Sequence, residues 1–306
     1  METTTDDTPR HDLAIAALFV AVVFWSTGPL LVRGISAPSL AAAPVRCIVA
    51  VPVMWIAARV TGGRITREVW VASIFPGVFF AGTMLFAFLS FSRTTVAHGS
   101  LIVALQPVVM LFVAPVLFAE RITVRKVGFA LTALGGIAMV VIFGNSKGDA
   151  TLLGDFFSVL NLGSYCTYIV MTKRVRDRNM HSGAFLTAVL VVASGALLPI
   201  GVVSGADFGQ IGGNDWWLIL GQVFIIQLLG FGVVTWSSRY IEVTLASIIN
   251  LLSPALSAVW AWFIFDQSMQ ALQIVGGIVM LGAVAGVVAT RSRPSDTSSN
   301  EAAVDT

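Results

Sequence analysis

The stretch SLIVALQPVVMLFVAPVLFAERIT, residues 100–123, decides how the chain is read. It is apolar enough to lie in lipid, yet Gln106 and Pro107 stand near its centre and it stops at Glu120 and Arg121. Residues 247–270, SIINLLSPALSAVWAWFIFDQSMQ, have the same layout, with Ser253 and Pro254 in the corresponding place. A helix rises 1.5 Å per residue, so about 20 apolar residues match a hydrocarbon core about 30 Å thick. Runs of that length recur along all 306 residues, of which 57% are hydrophobic and only 11% charged. Soluble domains carry about 25% charge. With a mean hydropathy of +0.88, the chain reads as an integral membrane protein.

The spans fall at 13–33, 39–60, 69–91, 95–118, 124–143, 154–174, 183–204, 216–237, 243–264 and 269–290, giving ten transmembrane helices. Continuous apolar runs favour helices over barrel strands, which would alternate over shorter lengths. The polar leader 1–12 and the Ser/Asp/Glu-rich tail 291–306 are expected to be disordered. The first run is longer than a signal-peptide core and lacks a convincing cleavage site, so it is read as a retained helix. Cys47 and Cys166 sit inside predicted helices without ligand-like spacing and read as free thiols.

Orientation follows from the basic residues. With the N-terminus inside, fourteen Lys and Arg collect on one side and three (Arg33, Arg93, Lys147) on the other. Short basic loops stay cytoplasmic, so both termini are placed there. Ser100 and Ser247, Pro107 and Pro254, and Gly135 and Gly282 share one offset of 147. Five spans, an odd number, separate the copies, which therefore enter the membrane from opposite sides. The chain is thus expected to be two inverted five-helix repeats, 13–143 and 154–290.

FWSTGPLLV in the first span, PVRCIVAV in the second, and a proline-centred helix ending in AER before KVGFALTALGGIAMVV carry a resemblance. They resemble the EamA-type branch of the drug/metabolite transporter superfamily, similar to bacterial amino acid and metabolite exporters of the YddG kind. The resemblance covers about residues 13–290; Gln267, after Asp266, stands where Glu120 stands in the first repeat. It implies a ten-helix carrier of small metabolites, often amino acids, with a central cavity lined mainly by helices 1, 3, 4, 6, 8 and 9.

Polar side chains at membrane depth are costly and tend to face a cavity or another helix. In the sixth span Asn161, Tyr165, Tyr168 and Thr172 share one helical face; they could contact a ligand or only bond between helices. Asn250, Ser253 and Ser257 repeat this in the ninth, beside Pro254. A proline removes an N–H and frees the carbonyl a turn back, so Pro107 with Gln106, and Pro254, mark paired kinks or simply shape packing. Trp25 and Ser26, the stripe Phe80, Thr83, Met84, Ala87, and Gln222 are further substrate-site candidates. Gln222 and Gln227 lie about 140° apart on an α-helix, so at most one of them should face the cavity. Trp216 and Trp217 read as interfacial anchors.

Every Asp and Glu falls at a helix end or in a tail, which leaves no mid-depth carboxylate for a proton relay. His98 is the one group titrating near neutrality at depth, with a plain polar lining role as the alternative. Arg46, two turns into the second span, can snorkel outward or meet a substrate carboxylate. Glu120 is expected to tie the turn to helix five through Arg121, Arg125 and Lys126. Gly282 and Gly286 form a small-xxx-small pair suited to close helix approach.

No HExxH, phosphate-binding loop or metal-ligand cluster occurs in the sequence, so no catalytic residue, cofactor or metal is expected. The expected partners are a small-molecule substrate and the lipid bilayer, with no nucleic acid; a monomer suffices and a homodimer is compatible. The function read from the sequence is secondary transport in a bacterial inner membrane. A passive channel-like facilitator or membrane scaffold is the alternative, with an intramembrane enzyme behind both.

Overall fold

The computed structural model describes residues 8–106, 108–110, 113, 124–143, 151–176, 180–230, 233, 252–266 and 269–291, and among these only helices occur as regular structure. Helix α1 (Thr8–Ser26) and the short α2 (Gly28–Arg33) form one apolar span broken at Thr27, whose Oγ1 donates to the Phe24 carbonyl. Then come α3 (Ser39–Val60), α4 (Arg67–Phe91), α5 (Val96–Val103), α6 (Val124–Phe143), α7 (Leu152–Arg176) and α8 (Ser182–Val203). Helix α9 (Gly213–Gly221) runs into a π-helical segment, Gln222–Gly230; α10 (Leu252–Phe265) and α11 (Ala271–Arg291) follow.

Among the described residues, four segments are long and apolar enough to cross a bilayer: Leu13–Arg33, Ser39–Val60, Arg67–Phe91 and Ser182–Val203. Large side chains such as Phe75, Ile142, Val203 and Phe263 are exposed on the outside. That is the surface a bilayer solvates, since lipid tails are as apolar as the side chains. Pro44 and Pro52 in α3, Pro76 in α4 and Pro199 in α8 lie inside helices, as neighbouring helices permit in membranes.

Helix starts follow local chemistry. Thr66, Thr95 and Thr151 accept the backbone N–H of Val69, His98 and Gly154, satisfying donors left open at the N-termini of α4, α5 and α7. Regular α5 stops at Val103, where Leu105 N–H turns to the Ile102 carbonyl, one turn before Pro107. That is the break a proline imposes on the turn preceding it. Pro107 itself lies outside the described residues, as do Asn250 and Glu120.

Equivalent helices of the two repeats pack on each other: α3 on α8, and α6 on α11. In the first pair a stripe of Ala42, Ala43, Cys47 and Ala50 meets Ala184, Ala188 and Ala193, all fully buried; small side chains let backbones approach. In the second pair Gly136 and Gly276 face each other, and a Cβ on Gly136 would lie 2.7 Å from the Gly276 carbonyl oxygen. The close approach is therefore made by Gly136 and Gly276 rather than Gly282, where an added Cβ meets nothing among the described residues; Gly286 packs on Phe129. The free thiols Cys47 and Cys166 are buried, as read from the sequence.

Candidate functional site

The polar face of α7 meets the stripe of α4. Phe80 packs on Tyr168 with ring centroids 5.2 Å apart, and Tyr168 stacks on Tyr165 at 6.5 Å. One turn earlier on α7, Asn161 is buried and its Oδ1 has no partner among the described residues. Thr83 returns its hydroxyl to the Phe79 carbonyl, and Met84, one turn beyond Phe80, turns its sulfur toward α3.

That sulfur accepts from Arg46, at 2.8 Å. A second nitrogen of the same guanidinium donates to Gln227 Oε1 at 3.0 Å. Arg46 is only 5% exposed, so it does not snorkel outward. Gln227 reaches it because residues 222–230 are π-helical. Under i→i+5 bonding, residues five apart stack one above the other, so Gln222 and Gln227 share a side and both are buried. The 140° separation expected of an α-helix does not apply. Gln222 Nε2 is buried without a partner among the described residues.

Trp25 and Ser26 serve as joints between helices. Trp25 Nε1 donates to the Ile226 carbonyl of the π segment, and its ring lies against Gly230. Ser26 is fully buried; its Oγ accepts from Trp260 Nε1, and its carbonyl accepts from the Ser257 hydroxyl. Ser253, partly exposed, offers its carbonyl to Ser257 Oγ. Pro254 is buried in α10, while the residues whose carbonyl it would free lie outside the described ones. Gln106 is half-buried just beyond α5.

His98 is 1% exposed and does not stand alone. Its Nδ1 lies 3.3 and 3.2 Å from the two oxygens of Asp155, on the first turn of α7, and Thr94 Oγ1 donates to the same carboxylate at 2.5 Å. Nδ1 faces the carboxylate, and Nε2 is left buried and without a partner among the described residues. Asp155 lies near a helix end, as the sequence places it, on the first turn of α7, which begins at Leu152.

Of the residues singled out in the sequence, Phe80 and Tyr168 are brought into contact between α4 and α7, with Tyr165 and Asn161 along the same face of α7 and Met84 one turn from Phe80 on α4. The sequence did not single out Asp155, and it set Gln222 and Gln227 on different sides of the helix, whereas both are buried in the π segment. No residue pattern marks a π-helix, and no spacing pairs His98 with an acid 57 residues away.

An all-helical bundle with an apolar exterior, two equivalent halves and unfilled polar groups between them defines a multi-pass membrane transporter. The chain belongs to the EamA-like transporter family, whose model matches twice, at residues 12–142 and 152–289. It is 26% identical over 62% of its length to an uncharacterized transporter of Archaeoglobus fulgidus, and 24% identical over 63% to a WAT1-related chloroplastic protein of Arabidopsis thaliana. The matches span 66% of the archaeal protein and 48% of the plant one. A Bacillus subtilis uncharacterized transporter, YxxF, is 22% identical over 82% of this chain and 81% of its own. A solved crystal structure superposes with a TM-score of 0.64 over 93% of this chain and all of its own, at 17% identity, a likeness of fold.

Proposed function

We propose that the chain is a secondary carrier of small amphipathic organic solutes, amino acids first among them, in a bacterial inner membrane with both termini cytoplasmic. Ten helices in two inverted repeats would expose one central site to each side in turn. The observation that carries the reading is the wall of Phe80, Tyr168 and Tyr165 beside Asn161, whose buried oxygen has no partner among the described residues. Burying a polar group without a hydrogen bond costs about 1–3 kcal/mol, so it is kept where a ligand can satisfy it.

The test is counterflow of labelled amino acids and other metabolites into proteoliposomes, with and without an imposed pH gradient. Saturable counterflow that ignores the gradient supports a facilitating carrier. Stimulation by the gradient supports a proton-coupled carrier and directs attention to His98 and Asp155. Absence of counterflow for every solute, from protein verified as folded, rejects the carrier in favour of the channel or scaffold alternative.

A further inference from the structure

Arg46 carries a charge that the described protein does not balance. A guanidinium stays protonated in proteins and presents five N–H donors in a planar fork. Here it is 5% exposed, inside a membrane-crossing helix, and its two partners, Gln227 Oε1 and Met84 Sδ, are both neutral. No carboxylate of the described residues pairs with it; the buried carboxylate of Asp155 lies against His98 and Thr94 instead. Buried charges are normally paired, and an ionisable residue at membrane depth marks a ligand path.

The surroundings say what kind of ligand fits. A thioether is a weak acceptor, so an oxyanion replacing Met84 Sδ at the fork exchanges a poor hydrogen bond for charge-assisted ones. Gln227, delivered by the π segment, holds the guanidinium from the other side. One turn along α4 from Met84 stands Phe80, from which the aromatic wall continues through Tyr168 to Tyr165. A charged anchor beside an apolar wall selects a small acid with an apolar body.

We propose that Arg46 is the anion-recognising residue of the transport site, taking the carboxylate of a small organic acid whose apolar part lies along Phe80, Tyr168 and Tyr165. This rests on the carrier reading and names its substrate class: amino acids and other carboxylates with an apolar side, in place of amines or neutral solutes.

The test measures the thermal unfolding midpoint of the full chain in detergent, titrated with matched pairs: phenylacetate and phenylacetamide, L-phenylalanine and L-phenylalaninamide, L-leucine and L-leucinamide. At least one acid is expected to raise the midpoint where its amide does not. Arg46→Gln should weaken that acid by about tenfold or more, and Arg46→Lys, which keeps the charge but loses the fork, by a smaller factor. If Arg46→Gln does not fold, Arg46→Lys decides. Amides acting as well as acids, no response to any acid, or affinity within twofold in the folded variants overturns the proposal. Counterflow separates the two claims. Arg46-dependent binding without counterflow keeps the site and removes the carrier, whereas counterflow of amines or neutral solutes unaffected by Arg46→Lys keeps the carrier and removes the anion site.

Discussion

At the scale of single residues, the buried polar groups divide into those that hold helices together and those left open. The Ser26 hydroxyl is taken up by the Val23 carbonyl and Trp260 and that of Ser257 by the Ser26 carbonyl, while Asn161 Oδ1 has no partner among the described residues. Asn161→Ala and Tyr165→Phe are therefore expected to lower counterflow at least tenfold while leaving the unfolding midpoint nearly unchanged, and Asn250→Ala likewise; wild-type rates in all three variants would remove the site assignment. His98 and Asp155 behave differently, because each loses its partner when the other is changed. His98→Gln or Asp155→Asn alone should destabilise by about 2–3 kcal/mol, with a coupling of about 1–3 kcal/mol in the double-mutant cycle. Additive effects would mean that the two do not act as a pair. The stripe on α7 was legible because helical spacing alone puts Asn161, Tyr165 and Tyr168 on one face. The partners of His98 and Arg46 were not, since both contacts join residues far apart in the chain, and sequence spacing says nothing about which helices become neighbours.

At the scale of elements, two joints set how the helices meet. Asp215, at the start of α9, accepts the Ser36 N–H at 2.8 Å and the Ser36 hydroxyl, and also binds Gly212 N–H, linking the α2–α3 turn to α9. Burial by itself would raise this carboxyl; the hydrogen bonds from Ser36, Gly212 and Ala37 outweigh it and hold the group below the usual carboxylate range. A folded-state value below the unfolded one of about 3.9 means the link stabilises fully above that value and is lost as pH falls through the folded-state value. Hydrogen exchange at Ser36 should accordingly accelerate as pH falls below about 3.9, after correction for the intrinsic rate, and Asp215→Asn should make it fast at every pH. The other joint is the α6–α11 crossing. A Cβ on Gly136 meets the backbone of Gly276 and Met280, atoms that cannot step aside, so Gly136→Val should cost about 1–3 kcal/mol. Gly135, one residue earlier, has nothing among the described residues within 4 Å of an added Cβ, and Gly135→Ala serves as the neutral control.

At the scale of the whole molecule, hydrogen bonds between the repeats gather the loops 34–38, 92–95, 151 and 212–215 at one end: Ser36 to Asp215, Thr151 to the Arg93 carbonyl, and Thr94 and His98 to Asp155. At the other end His181 bonds the Thr61 carbonyl. Under the proposed carrier reading, opening either end would require the halves to move against each other, and the α3–α8 and α6–α11 crossings, each between equivalent helices, would be the places for that motion. Pro107 and Pro254 lie between these crossings in the chain. A proline within a helix supplies no N–H to the carbonyl a turn back, so the helix can bend there without losing a further hydrogen bond. Replacing Pro107 and Pro254 by alanine is therefore expected to leave ligand affinity within about twofold and to slow interconversion, read as a fall in counterflow rate at saturating solute. Both quantities must be measured on the same preparation, because a fall in rate that follows a fall in affinity would place the prolines in the site. Unchanged rate together with unchanged affinity would leave them a packing role alone, and the hinge would then have to lie elsewhere, with the break at Thr27 between α1 and α2 the next position to stiffen.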